Sequence, residues 1–283
     1  MPQGTVAGTQ RGALCRMLLA VLLSWVIICP AWGASSTCLR CHPRHYAGHG
    51  SCSDCHRGDE RAIRPALAHH DLIPGSLAGH GLPGSAAVAR GQRLAGLLAC
   101  RRCHLLAQSG NRLASDLDRV VQDMTLVRLR RALQEPAWYM PDFRLGAAER
   151  DDLLTYLLSA AKGYKRAAAA RETPQVVHFA DDGRRREDPF SRHCGGCHQT
   201  LTPRWGGLGR GRVAPNLAGL LGAHYPPTFT GRLKWNPQRL RNWLNNPRES
   251  RTLATMPPIV LSSAEFSSLV RVIDVDVAED FPK

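Results

Sequence analysis

Cys194-Gly195-Gly196-Cys197-His198 is one of four copies of a five-residue pattern, Cys-x-x-Cys-His. The others are Cys38-Leu39-Arg40-Cys41-His42, Cys52-Ser53-Asp54-Cys55-His56 and Cys100-Arg101-Arg102-Cys103-His104. This is the spacing at which c-type haem is attached to a chain. Two thiols so placed match the two vinyl groups of one macrocycle, each forming a thioether. The histidine that follows is held beneath the iron as its proximal ligand. Paired Cys-x-x-Cys knuckles also make zinc sites. Two features favour haem. Every pair here is followed at once by His, which zinc does not require. The copies are also unevenly spaced, the third lying far beyond the second and the fourth farther still. The motifs therefore predict four covalently bound haem c groups. The tethers are Cys38, Cys41, Cys52, Cys55, Cys100, Cys103, Cys194 and Cys197, and the proximal ligands are His42, His56, His104 and His198.

The 283 residues fit one to three domains. Of the ten cysteines, eight lie in the motifs, and Cys15 and Cys29 lie in an N-terminal apolar stretch. None is left for a structural disulfide in an exported protein. Arg11 and Arg16, an apolar run from Met17 to Ile28 and the small-residue site Ala31-Trp32-Gly33 have the three regions of a secretory signal peptide, assigned to 1–33. The run is about 12 residues, short of the ~20 that span a bilayer. Ile27-Ile28 ahead of Cys29 argue against a lipoprotein signal. The alternative is an uncleaved N-terminus that associates with the membrane. Export agrees with the motifs, because c-type haem is attached beyond the cytoplasmic membrane, and it predicts a bacterial periplasmic location.

The formal charge is +14. Without Arg11 and Arg16, and with the eight propionates of four haems ionised, it falls to about +4, so the basic balance does not point to nucleic acid. Arginine forks suit propionate carboxylates, and some can steer an acidic redox partner. Aromatic residues are only 6% of the chain, so haem plates would supply core that side chains do not.

The pattern predicts a mainly α fold: an N-terminal diheme segment followed by two tandem helical domains. Residues 34–80 carry two motifs and many histidines, with little hydrophobic periodicity, and read as short helices and loops around two touching haems. Residues 86–162 read as a helical module. A first helix runs from Ala86 to Ala99 with Leu94, Leu97 and Leu98 on one side. A second runs from Leu117 to Glu135, stopped by Pro136, and a third from Ala147 to Ala160 carries Leu153, Leu154, Leu157 and Leu158 at helical spacing. Residues 163–187, with Arg184-Arg185-Arg186, read as a charged linker. Residues 188–278 repeat the plan, with a helix from about Gln238 to Asn245. A last helix from about Ser263 to Val277 presents Phe266, Leu269, Val270, Ile273 and Val277, with Ser262 or Ser263 as its N-cap.

Eight histidines lie beyond the proximal four in the mature chain: His45, His49, His69, His70, His80, His178, His193 and His224. His45 follows His42 by three residues, a reach of at most ~10 Å, too short to pass round the macrocycle edge to the other face of the same iron. As a ligand it serves the haem of Cys52 and Cys55. His69 or His70 can then reach the first haem.

The stretches 86–162 and 188–278 resemble class I cytochrome c domains. The resemblance is carried by Cys100-x-x-Cys103-His104 with Met140-Pro141-x-Phe143, and by Cys194-x-x-Cys197-His198 with Pro215-Asn216-Leu217 and Met256-Pro257-Pro258, each ending in an amphipathic helix. It implies three helices around each haem and an axial methionine just before the last helix, here Met140 and Met256. Elimination agrees. Met1 and Met17 leave with the signal, and Met124 sits inside a predicted helix. In that family a proline carbonyl after the motif accepts the proximal imidazole N–H. Pro215 fits this role for His198, but Gly110-Asn111-Arg112-Leu113 lacks the proline, which leaves the partner of His104 open. The family's aromatic on the first helix is replaced by Leu94 or Leu97. The whole arrangement, with Cys38-Leu-Arg-Cys-His-x-x-His45-Tyr46 and Ala68-His69-His70, is similar to multihaem cytochromes encoded with bacterial selenite/tellurite reduction systems.

Methionine ligation raises haem potential relative to bis-histidine. The expected function is periplasmic electron transfer from a membrane quinol-oxidising complex or another cytochrome to a terminal reductase. Two rivals remain: a haem reductase of an oxyanion or nitrogen oxide, which needs one open iron site, and a haem subunit or sensor within a larger complex. Enough His and Met exist to fill all four irons, which disfavours an enzyme.

Overall fold

The computed structural model describes residues 36–164 and 188–275. The signal segment 1–33, most of the linker with His178 and its arginine run, and Val277 lie outside the described residues. The architecture is mainly α, with one two-stranded antiparallel hairpin among the described residues.

The N-terminal segment holds a 3-10 turn at Thr37–Arg40, helix α1 (Cys52–His56), helix α2 (Pro65–Ala68) and a 3-10 turn at Ala78–Gly81. Helices this short do not stand alone in water, and no residue from 36 to 72 is buried. Ile73 and Leu77 are the first buried side chains, and both belong to the core of the following module. Arg57 stitches the segment down. Its guanidinium pairs with Asp71 at 3.0 Å and donates to the carbonyls of Met124 and Val121. Asp71 accepts from the backbone N–H of Leu126 at 3.2 Å.

In the next module α3 (Ala86–Leu97) crosses α6 (Ala147–Ala161). The predicted Leu94, Leu97, Leu98 face is corrected here. Leu97 is 81% exposed, Leu94 and Leu98 are half-buried, and the residues in the crossing are Gly91 and Ala95. A Cβ on Gly91 would lie 2.0 Å from the Asp152 carbonyl oxygen and 2.7 Å from Tyr156 Cβ, so only glycine lets the two backbones meet there. The small residues, not the large ones, mark the face.

The single helix predicted from Leu117 to Glu135 is two: α4 (Leu117–Asp123) and α5 (Leu126–Gln134). Met124 is extended at φ −106°, ψ 147°, and the Thr125 hydroxyl caps α5 by accepting from the Arg128 N–H. Asp116 caps α4 in the same way. Leu153, Leu154, Leu157 and Leu158 of α6 are all buried, as their spacing predicts.

The last module starts with α7 (Pro189–His193), capped by Asp188, whose Phe190 is 1% exposed at the centre of a second core. The hairpin of β1 (Thr200–Thr202) and β2 (Gly206–Leu208) follows, then α8 (Pro237–Asn245), α9 (Pro247–Ser250) and α10 (Ser263–Ile273). Ser262 caps α10 within a capping box with Glu265. Phe266, Leu269, Val272 and Ile273 are its buried face, and Val270 is half-buried. A third buried cluster, Cys103, Leu113, Leu201 and Ala218 with Tyr139 against it, joins the two modules.

Gly91→Val would drive a branched side chain into the α6 backbone. The expected loss is about 1–3 kcal/mol, the usual range for overpacking, read as a lowered Tm by circular dichroism against wild type.

Candidate haem sites

The four motifs share one local form. The backbone N–H of His42, His104 and His198 donates to the carbonyl of Cys38, Cys100 and Cys194 at 2.9, 3.0 and 2.9 Å. The second copy is helix α1 itself. Each copy is thus a single helical turn that brings its two thiols and its imidazole to one side of the chain. None of the eight cysteines is in a disulfide. Burial pushes the Cys100 and Cys194 thiols up to about 11 and raises Cys103 as well. Reactive redox dithiols need the opposite shift.

Three of the proximal imidazoles are oriented by a backbone carbonyl. His56 Nδ1 lies 2.9 Å from the Ile73 oxygen, His104 Nδ1 2.8 Å from Ser115 and His198 Nδ1 2.7 Å from Pro215. A carbonyl can only accept, so Nδ1 carries the proton and Nε2 keeps its lone pair for a metal. For His198 the carbonyl is the one the sequence proposes. For His104 it is Ser115, which residue identity could not reveal, because any residue supplies a carbonyl. Burial also holds the His104 imidazole below its ordinary value, opposed by the Ser115 bond, and so favours the neutral form that ligates.

In the crowded segment the histidines pair across motifs. The His45 ring stands 5.8 Å from that of His56, and the His69 ring 6.0 Å from that of His42. Imidazole binds a metal at about 2.0–2.1 Å, as on zinc. Adding a ring radius on each side, two imidazoles on one metal have centroids about 6 Å apart. The pairing is crossed: a histidine beside the first motif faces the proximal ring of the second, and the reverse. The sequence leaves His69 and His70 as equals, and the ring against His42 is that of His69.

His80, one of the further histidines, is buried, with Nε2 2.9 Å from the Cys55 carbonyl and its pKa lowered by burial. It braces the second motif from behind. Met140 is half-buried at the end of a turn in which its N–H meets the Ala137 carbonyl at 2.8 Å. Met256 is half-buried against the second core, and its sulfur accepts from Trp243 Nε1 at 3.1 Å. A thioether sulfur has a second lone pair, so that bond leaves it able to ligate. Met124 packs on the first core from the break between α4 and α5, so the helical position expected for it is not observed.

The residues fit haem c: paired free thiols on one turn, three imidazoles whose Nδ1 is held by a carbonyl so that Nε2 keeps its lone pair, and a second histidine near each of the first two motifs. Among the described residues no three His, Cys, Asp or Glu side chains converge as a multi-ligand ion site such as zinc would require. No family model, curated protein or solved structure matches the chain.

The ring pairs predict unequal roles for adjacent histidines. His69→Ala should convert one low-spin centre to high spin in the EPR spectrum of the purified protein, whereas His70→Ala should leave the spectrum unchanged.

Proposed function

We propose that this chain is an exported tetrahaem c-type cytochrome that carries electrons between redox proteins. One observation carries the reading. The His45 ring lies 5.8 Å from that of His56, and the His69 ring 6.0 Å from that of His42, so each of the first two motifs has a second imidazole within reach of its own, in a segment with no buried side chain before Ile73. Two imidazoles shared by one iron would have that spacing.

Bound haem iron supplies one-electron ferric/ferrous exchange at each site. The chain does the rest. Cys38 and Cys41, Cys52 and Cys55, Cys100 and Cys103, and Cys194 and Cys197 tether the groups. His42, His56, His104 and His198 would each supply an imidazole ligand. His45 and His69 would be the second ligands of the first two sites, and Met140 and Met256 those of the last two. Filled ligand sets favour electron carriage over substrate chemistry. The ligand types set the direction, because methionine raises potential relative to a second histidine. Bound haems so ligated would pass electrons from the N-terminal pair toward the two methionine-bearing modules. The donor is a membrane quinol-oxidising complex or another cytochrome, and the acceptor is a terminal reductase. The location is the periplasm. No helix among the described residues is long and apolar enough to cross a membrane.

A pyridine haemochrome assay on the purified protein should give four haems per chain, and a haem-free protein holding zinc would overturn the proposal. The Trp243 N–H withdraws electron density from the Met256 sulfur and so disfavours the ferric state. Trp243→Phe should therefore lower one of the two higher midpoint potentials in a spectroelectrochemical titration. The expected shift is on the order of 20–60 mV, a hydrogen bond of about 0.5–1.5 kcal/mol at 59 mV per 1.4 kcal/mol.

A further inference from the structure

Asn216 bonds across to the other module with both its side chain and its backbone carbonyl. Its Oδ1 accepts from the Ala218 N–H at 2.9 Å, and its Nδ2 donates to the Tyr139 carbonyl at 3.0 Å. An N–H on one side and a carbonyl on the other fix which end of the amide is which. The Asn216 carbonyl in turn accepts from Arg102 Nη1 at 3.1 Å and from the Tyr225 hydroxyl at 3.4 Å.

The neighbours of these partners matter most. Tyr139 precedes Met140, Arg102 lies inside the third motif between Cys100 and Cys103, and Pro215, just before Asn216, holds His198 by its carbonyl at 2.7 Å. One residue thus joins the methionine loop of the third site, the cysteine turn of the third site and the imidazole orienter of the fourth. The joint is close-packed. A Cβ on Gly207 would lie 2.0 Å from the Tyr139 ring, and Ala218 and Cys103 are buried in the shared cluster.

We propose that Asn216 is a positioning residue that couples the third and fourth sites, holding the Met140 loop and the His198 orienter as one hydrogen-bonded unit. The inference rests on the haem reading above and adds a dependence between sites that independent modules would lack. Disturbing the amide should disturb ligation at Met140, in the other module.

Asn216→Asp tests it. Aspartate keeps the acceptor for Ala218 but turns a carboxylate oxygen toward the Tyr139 carbonyl, where two acceptors repel. The variant should retain four haems per chain. Its methionine-sulfur-to-ferric-iron charge-transfer absorbance should fall to about half that of wild type, as one of two methionine ligands is lost, and one of the two higher midpoint potentials should drop. Unchanged absorbance and potentials at full haem content would overturn the proposal. If the variant yields no soluble protein, Asn216→Ala, which removes the bond to the Tyr139 carbonyl without adding a charge, replaces it. Loss of the same absorbance there supports the coupling, and an unchanged spectrum at full haem content overturns it. Met140→Leu calibrates the loss: if it leaves the absorbance intact, the assignment of Met140 fails and not the role of Asn216. A haem-free wild type fails the haem reading itself.

Discussion

A hydrogen bond at one nitrogen of an imidazole fixes the tautomer and the direction of the other, and for three of the four motif histidines that bond goes to a backbone carbonyl brought back from downstream. The carbonyl comes from 17 residues on for His56, 11 for His104 and 17 for His198. A loop must fold back after each of these motifs, and much of the structure is what makes the loop hold. After His104 the loop closes tightly through a bridge between Leu106 and Ser109. Buried Asp118 fixes it by accepting from the Ala107 and Gln108 N–H groups and the Gln108 side chain. A carboxylate that is 1% exposed is tolerable because three donors satisfy it. After His198 the same place in the loop grows into the hairpin of β1 and β2. The two modules differ in loop length yet deliver a carbonyl to the same atom.

The helices whose stability comes from burying a broad apolar stripe were legible in the sequence. α6 and α10 show it, because Leu153, Leu154, Leu157 and Leu158, and Phe266 and Leu269, carry both the pattern and the burial. Where backbone approach decides, the pattern misleads. Leu97 looked like core and is solvent-facing, because the crossing with α6 needs Gly91 at the contact, and that turns Leu97 outward. The break at Met124 was hidden for another reason. Nothing local forbids a helix there, and the turn is held by Arg57 and Asp71, far away in the chain. For the candidate sites, residue types name the thiols and imidazoles, and the reach of a three-residue segment assigns His45 to the second motif, where its ring lies 5.8 Å from that of His56. That the ring near His42 is His69, and that the Ser115 and Ile73 carbonyls meet His104 and His56, depend on chain direction in space, which no residue type encodes.

The first two sites are also not equivalent in their support. Ile73 buries its side chain in the core of the following module, at 1% exposure, while its carbonyl orients His56. His80 Nε2 also meets the Cys55 carbonyl at 2.9 Å. The second motif is thereby fastened to a folded module on two points. The first motif has no such fastening: its described ring contact is His42 with His69, and no side chain near it is buried. A segment of that kind cannot offset its chain entropy by burying its own apolar surface. A group that binds the folded form and not the unfolded chain stabilises the fold by its binding free energy. On the proposed reading the order of residues 36–72 therefore depends on attached haem, whereas the two helical modules have cores of their own. The low-potential end of the electron path would then be the part whose fold is completed by its cofactors, and His45 and His69 would serve as ligands and cross-links at once, each fastening one motif to the other.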